Sequence, residues 1–286
     1  MSNVTISDSI KYIGVDDTTL DLFESQYIVP NGVSYNSYVI LDEKVAVMDA
    51  RKTDEWFSNL TNTLNGRTVD YIVISHLEPD HAANIQMLAE KYPQAKLVLS
   101  VKAKAMLPQF FDIADLDSRC MAVAEGEELS LGSHTLKFFM APMVHWPEVM
   151  VEYETTEKVL FSADGFGKFG ALSADEDWAC EARRYYFNIV GKYGAPVQAL
   201  LKKAATLDIQ TICPLHGPIL KENLGYYIGK YMTWSSYEPE DEGVLVACAS
   251  IHGNTKKAAE KMVEILKGKG VKVAFTDLTR DDMAEA

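Results

Sequence analysis

The chain has 286 residues, 48% of them hydrophobic and 24% charged, an ordinary globular composition with room for one large or two smaller domains and a sizeable core. Its 27 basic and 41 acidic residues leave a net charge of −14, which opposes binding to nucleic-acid backbones or to anionic membrane surfaces. The four cysteines, Cys120, Cys180, Cys213 and Cys248, form no C-x-x-C pair and fit a reducing compartment; with no basic-then-apolar leader and no apolar run near the roughly 20 residues of a bilayer span, the expectation is a soluble cytoplasmic protein.

In chain order, SYVILDE and KVAVMDA (37–50) predict a hairpin turning near Asp42 and Glu43. DYIVIS (70–75) is β-branched without helical period and reads as a buried strand. AANIQMLAEKY (82–92) places Ile85, Leu88, Ala89 and Tyr92 at helical spacing. KLVLSV (96–101) predicts a strand, and KAKAMLPQFF a helix broken near Pro108. HTLKFFMAP (134–142), VMVEYET (149–155) and KVLFSAD (158–164) read as strands, EARRYYFNIVGKYG and PVQALLKKAATL as helices, and IQTICPLHG (209–217) as a strand entering a loop. Strand pairs with interspersed helices imply an α/β sandwich of sheets covered by helices. The acidic SSYEPEDEG (235–243), with Pro239, is the linker candidate, dividing the chain into 1–242 and 243–286. Beyond it VLVACAS (244–250), the turn IHGNT, the helix KKAAEKMVEILKGKG and VKVAFTDL form one βαβ unit.

The stretch SHLEPDH (75–81) crowds His76, Glu78, Asp80 and His81 into six positions directly after a strand. Pro79 disfavours helix at the preceding residue, so the segment reads as a loop. Two imidazoles and two carboxylates this close point to metal; one ion could take His76 and Glu78, another Asp80 and His81. Two ions of coordination number four to six need further ligands. His145, Asp164 and His216 each follow a predicted strand, in loops that can share one rim of a sheet scaffold. His134 has no such partner pattern.

The order H-x-E-x-D-H, then His145, Asp164 and His216, together with GVSYNSYVI (32–40), FSADGFG (161–167) and PLHGP (214–218), resembles the flavodiiron proteins over essentially the whole chain. The resemblance implies a metallo-β-lactamase-like αββα sandwich in 1–242, followed by the start of a flavodoxin-like domain in 243–286. It implies one iron held by His76, Glu78 and His145, a second by Asp80, His81 and His216, and Asp164 bridging them, the pair about 3.5–4 Å apart. It also implies reduction of O2 to water or of NO to N2O, electrons relayed through FMN from a rubredoxin-like donor, and a head-to-tail homodimer or dimer of dimers. SIHGNT (250–255) would be the FMN phosphate loop, with Ser250, His252, Gly253, Asn254 and Thr255 as binding residues.

Glu78 separates this reading from a zinc hydrolase of the same superfold, which usually carries histidine there. Two divalent ions carry +4; Glu78, Asp80, Asp164 and a bridging hydroxide carry −4. A hard anionic ligand stabilises the ferric state better than a neutral imidazole does, so the set suits redox cycling. Two departures stand out. A flavodoxin-like domain takes roughly 140 residues, so a βαβ unit ending at Ala286 reads as a truncated one, and the expectation is metal with little or no FMN. In LFESQY (22–27), where many members carry a histidine near the substrate pocket, Ser25 or Gln26 stands. Tyr185 and Tyr186 lie in a helical setting that favours core packing over proton donation.

Overall fold

The computed structural model describes residues 4–51 and 53–281; the other positions, including the first three of the N-terminal stretch, lie outside the described residues. Contacts divide the chain into two compact units, Met1–Ser236 and Tyr237–Ala286. The helix Leu224–Ser236 ends the first unit at the start of the acidic stretch.

Two large sheets, beside two small two-stranded ones, build the first unit. One runs in the order Ile10–Tyr12, Tyr38–Leu41, Val45–Met48, Tyr71–Ile74, Lys96–Ser100, Cys120–Val123. Its first two pairings are antiparallel and the rest parallel. The second runs Glu128–Ser130, Thr135–Met140, Met150–Glu154, Val159–Phe161, Thr211–Cys213, antiparallel until the last, parallel pair.

The two-residue period of strands decides which core each side chain enters. Ala46, Met48, Val73 and Val98 of the first sheet share one apolar cluster with Leu136, Phe138, Met150, Phe161 and Cys213 of the second. Their neighbours Val45, Val47, Ile72, Ile74, Leu97 and Leu99 belong to a second cluster with the helical residues Trp56, Leu60, Leu64 and Leu88. Phe139, Val151, Leu160 and Ile212 likewise cluster with Val197 and Leu201 of the helix Gly194–Ala204. Alternation therefore yields helix, sheet, sheet, helix.

Local chemistry sets the element ends. Thr53 caps the helix Asp54–Leu64 by accepting from the Trp56 N–H, and Asn65 closes it at φ 46°. The predicted helix broken near Pro108 is an α-helix Val101–Met106 followed by a 3₁₀ segment Leu107–Gln109. One expectation is corrected: HLEPDH is not all loop. Pro79 opens a short helix, Pro79–Ala82, because a proline at the first helical position needs no N–H partner and has the right φ.

The second unit pairs Val244–Cys248 in parallel with Val273–Asp277 across the helix Asn254–Gly268. Among the described residues no helix is long and apolar enough to cross a membrane.

Candidate metal centre

Four of the candidate ligands lie in the loops beyond the carboxyl ends of strands. His76 follows Tyr71–Ile74, His145 follows Thr135–Met140, Asp164 follows Val159–Phe161, and His216 follows Thr211–Cys213. Between His76 and His81 the chain turns into the Pro79 helix, which puts Asp80 and His81 on a different heading from Glu78.

The seven residues form two groups. His76, Glu78, His145 and Asp164 make one; Asp80, His81 and His216 make the other. In the first, Glu78 Oε2 lies 3.1 Å from His76 Nε2 and 3.0 Å from His145 Nε2. In the second, Asp80 Oδ2 lies 3.3 Å from His81 Nε2 and 3.4 Å from His216 Nε2, and the two imidazoles are 3.1 Å apart.

Asp164 joins the groups. Its Oδ2 is 3.1 Å from His145 Nε2 and 3.6 Å from His76 Nε2. Its Oδ1 is 3.4 Å from His81 Nε2 and 3.8 Å from His216 Nε2. One carboxylate thus presents one oxygen to each set.

Two imidazoles are held from behind. His76 Nδ1 meets Glu148 Oε1 at 2.9 Å, and the same oxygen accepts the Leu77 N–H at 3.0 Å. His216 Nδ1 donates to the Ser34 carbonyl at 2.8 Å. With Nδ1 donating, Nε2 of each ring presents a lone pair to the centre, the arrangement metal-binding histidines use. Phe23, Tyr35 and Tyr185 surround His216 with ring centroids 5.4–5.5 Å away, and Trp146 sits edge-on to His76 at 5.1 Å.

The donors fit metal. Both oxygens of Asp80 and both of Asp164 are buried without a hydrogen-bond donor, a costly arrangement unless a cation takes that place. Without metal the groups polarise one another. Burial raises the Glu78 and Asp164 carboxyls, but facing histidines outweigh it and hold both well below the carboxylate range. Burial lowers the histidines, yet the carboxylates prevail: His145 is pushed up to about 9, and His76 and His81 also rise.

Of the residues singled out in the sequence, all seven ligand candidates meet here. His134 is instead held between Asp42 and Glu157 at 2.9 and 3.1 Å. Tyr185 packs beside His216, while Tyr186 joins the buried rings of Tyr231 and Trp234. Ser250, His252, Gly253, Asn254 and Thr255 lie at the strand-to-helix turn of the second unit, Gly253 at φ 81°.

Three contributors were missed. Glu148 supports His76 across 72 residues, and Ser34, though within GVSYNSYVI, acts through its backbone carbonyl, which no side-chain pattern marks. Glu24, in LFESQY, reaches Glu78; burial and that neighbouring carboxylate push it up to about 7.

A family model described as ODP family beta lactamase matches residues 33–217. An uncharacterized protein of Methanocaldococcus jannaschii is 34% identical over 94% of this chain and 69% of its own length. A rubredoxin-oxygen oxidoreductase of Megalodesulfovibrio gigas and a nitric oxide reductase of Moorella thermoacetica are each 28% identical, over 96% and 98% of this chain and 71% and 72% of theirs. The flavodiiron protein of Giardia intestinalis superposes with a TM-score of 0.91 at 27% identity, covering all of this chain and 72% of that one. The chain spans about half the length of the diflavin flavoproteins it also matches.

Proposed function

We propose, on the premise that this chain belongs to the ODP family beta lactamases and resembles the flavodiiron proteins throughout its length, that it is a di-iron oxidoreductase reducing O2 to water, NO to N2O, or both. The observation that carries the reading is Asp164, with one oxygen turned to His76 and His145 and the other to His81 and His216. A carboxylate so placed serves two ions at once.

His76, Glu78 and His145 would hold one iron, Asp80, His81 and His216 the other, with Asp164 between. The iron pair, when bound, supplies the redox-active electrons and the open position for a diatomic substrate. The chain does the rest. Glu148 and the Ser34 carbonyl hold two rings in the ligating tautomer. Phe23, Tyr35, Tyr185 and Trp146 wall the site with rings and limit water. Burial and the neighbouring Glu78 push Glu24 up to about 7, so it would be the residue to pass protons towards the centre.

Electrons would come from a rubredoxin-like donor through FMN, in a head-to-tail homodimer in the cytoplasm. Ser250, His252, Gly253, Asn254 and Thr255 are assigned to the flavin phosphate, where Gly253 and the helix start at Asn254 offer backbone N–H groups. Flavin absorbance of the purified protein measures FMN occupancy. A zinc hydrolase is disfavoured because Glu78 adds a third carboxylate to the pair.

The deciding experiment is metal analysis of anaerobically reconstituted protein, then stopped-flow mixing of the reduced protein with O2 and with NO. Two irons per chain and rapid reoxidation by either gas support the proposal. Two zinc ions with hydrolytic turnover, and no reaction with either gas, reject it.

A further inference from the structure

Behind His76 lies a polar chain that contacts no ligand atom. Ser75 Oγ is 2.7 Å from Asp49 Oδ2 and 3.0 Å from Glu152 Oε2. The Ser75 N–H also donates to Asp49 Oδ1 at 3.0 Å. All three residues are at most 2% exposed. A hydroxyl has one proton and can donate to only one of two carboxylates. Were both ionised, one oxygen–oxygen contact would have no proton between its atoms, in a dry interior where such a contact is costly.

We propose that Glu152 is a neutral carboxylic acid in the native protein: it donates to Ser75, Ser75 donates to Asp49, and this chain positions the strand end that carries His76. The proton belongs on Glu152 for structural reasons. Asp49 accepts two hydrogen bonds, from the Ser75 N–H and hydroxyl, which favour its charged form. Glu152 faces Asp49, and its Oε1 has no donor. Burial pushes Asp49 up to about 6 and Glu152 well above the usual glutamate range.

The positioning role follows from where the three residues sit. Asp49 follows the first-sheet strand Val45–Met48 and Glu152 lies in the second-sheet strand Met150–Glu154. Ser75 ties them together one residue before His76, and its carbonyl accepts the Met150 N–H at 3.1 Å. Ser37 Oγ anchors the other side, reaching the Met48 and Asp49 carbonyls at 2.9 and 3.0 Å. The chain therefore joins the sheets directly beneath the ligand.

The test uses the metal-free and the metal-loaded protein. Infrared spectra of the wild type at neutral pH should show the C=O stretch of a neutral carboxylic acid, shifted in D2O and lost in Glu152→Gln. That variant should keep its fold and metal content, because the amide N–H replaces the acid O–H. Its melting temperature should gain on the wild type as pH rises. An acid whose folded pKa is raised stabilises the native state below its unfolded pKa and loses that contribution as pH climbs towards the folded value, and glutamine has nothing to lose. Ser75→Ala should keep the fold and weaken one ion about 10-fold, the order seen when support behind a ligand is removed. The proposal is overturned if the wild type has no such band, if the band survives in Glu152→Gln, if the melting difference is constant with pH, or if Ser75→Ala binds both ions like wild type.

Discussion

Glu148→Gln is the sharpest probe of the metal centre. Glu148 Oε1 serves both His76 Nδ1 at 2.9 Å and the Leu77 N–H at 3.0 Å, with its side chain fully buried. Glutamine has nearly the same shape, and its carbonyl oxygen can still accept, so the substitution removes charge more than packing. Hydrogen bonds to a charged acceptor contribute about 1.5–3 kcal/mol against about 0.5–1.5 for neutral ones. Behind a ligand, such a loss typically weakens metal binding about 10–100-fold, or about 1.4–2.7 kcal/mol. The effect should fall on one ion, since Glu148 touches the His76 group and no residue of the Asp80, His81, His216 group. Competition titration with a chromophoric chelator resolves the two ions. One weakened and one unchanged affinity is expected; equal weakening of both, or of neither, would refute the argument that Glu148 acts by orienting His76.

Three further outcomes follow from the same geometry. Asp164→Ala removes both oxygens that face the two ligand groups, so metal analysis should show a lower metal content than wild type. Metal loading should tighten as pH rises towards about 9, because His145 is held up to about 9 and His76 and His81 also rise without metal, so protons must leave before an ion binds; a pH-independent binding constant contradicts this. Gly217→Ala should cost about 1–2 kcal/mol by thermal unfolding from its left-handed backbone, for Gly217 has φ 81° and a Cβ there would lie 2.8 Å from Lys168 Cγ. A variant as stable as wild type would show that Lys168 yields freely.

Much of the scaffold was legible because strands write their period into the chain. DYIVIS, KVLFSAD and IQTICPLHG read correctly, since β-branched runs bounded by polar residues have few alternatives. Boundaries were less legible where one residue carries two meanings. Pro79 ends a strand-side loop and also begins a helical turn, and the residue preceding it is restricted in either case. The ligand candidates stood out because imidazoles and carboxylates at strand ends are chemically conspicuous. Glu24 and Glu148 did not, because a lone glutamate in a loop is ordinary until its neighbour in space is known.

The amino-acid order alone determined which side chains could bind metal, that most of them follow strands, and that the central strands are apolar and buried. Only the tertiary structure decided which oxygen of Asp164 faces which imidazoles, that His81 and His216 meet across 135 residues, and that Ser75 stands between two buried acids. Periodicity and side-chain chemistry are local and survive in a one-dimensional string; convergence depends on the stacking of two sheets, which brings together residues that no spacing rule connects.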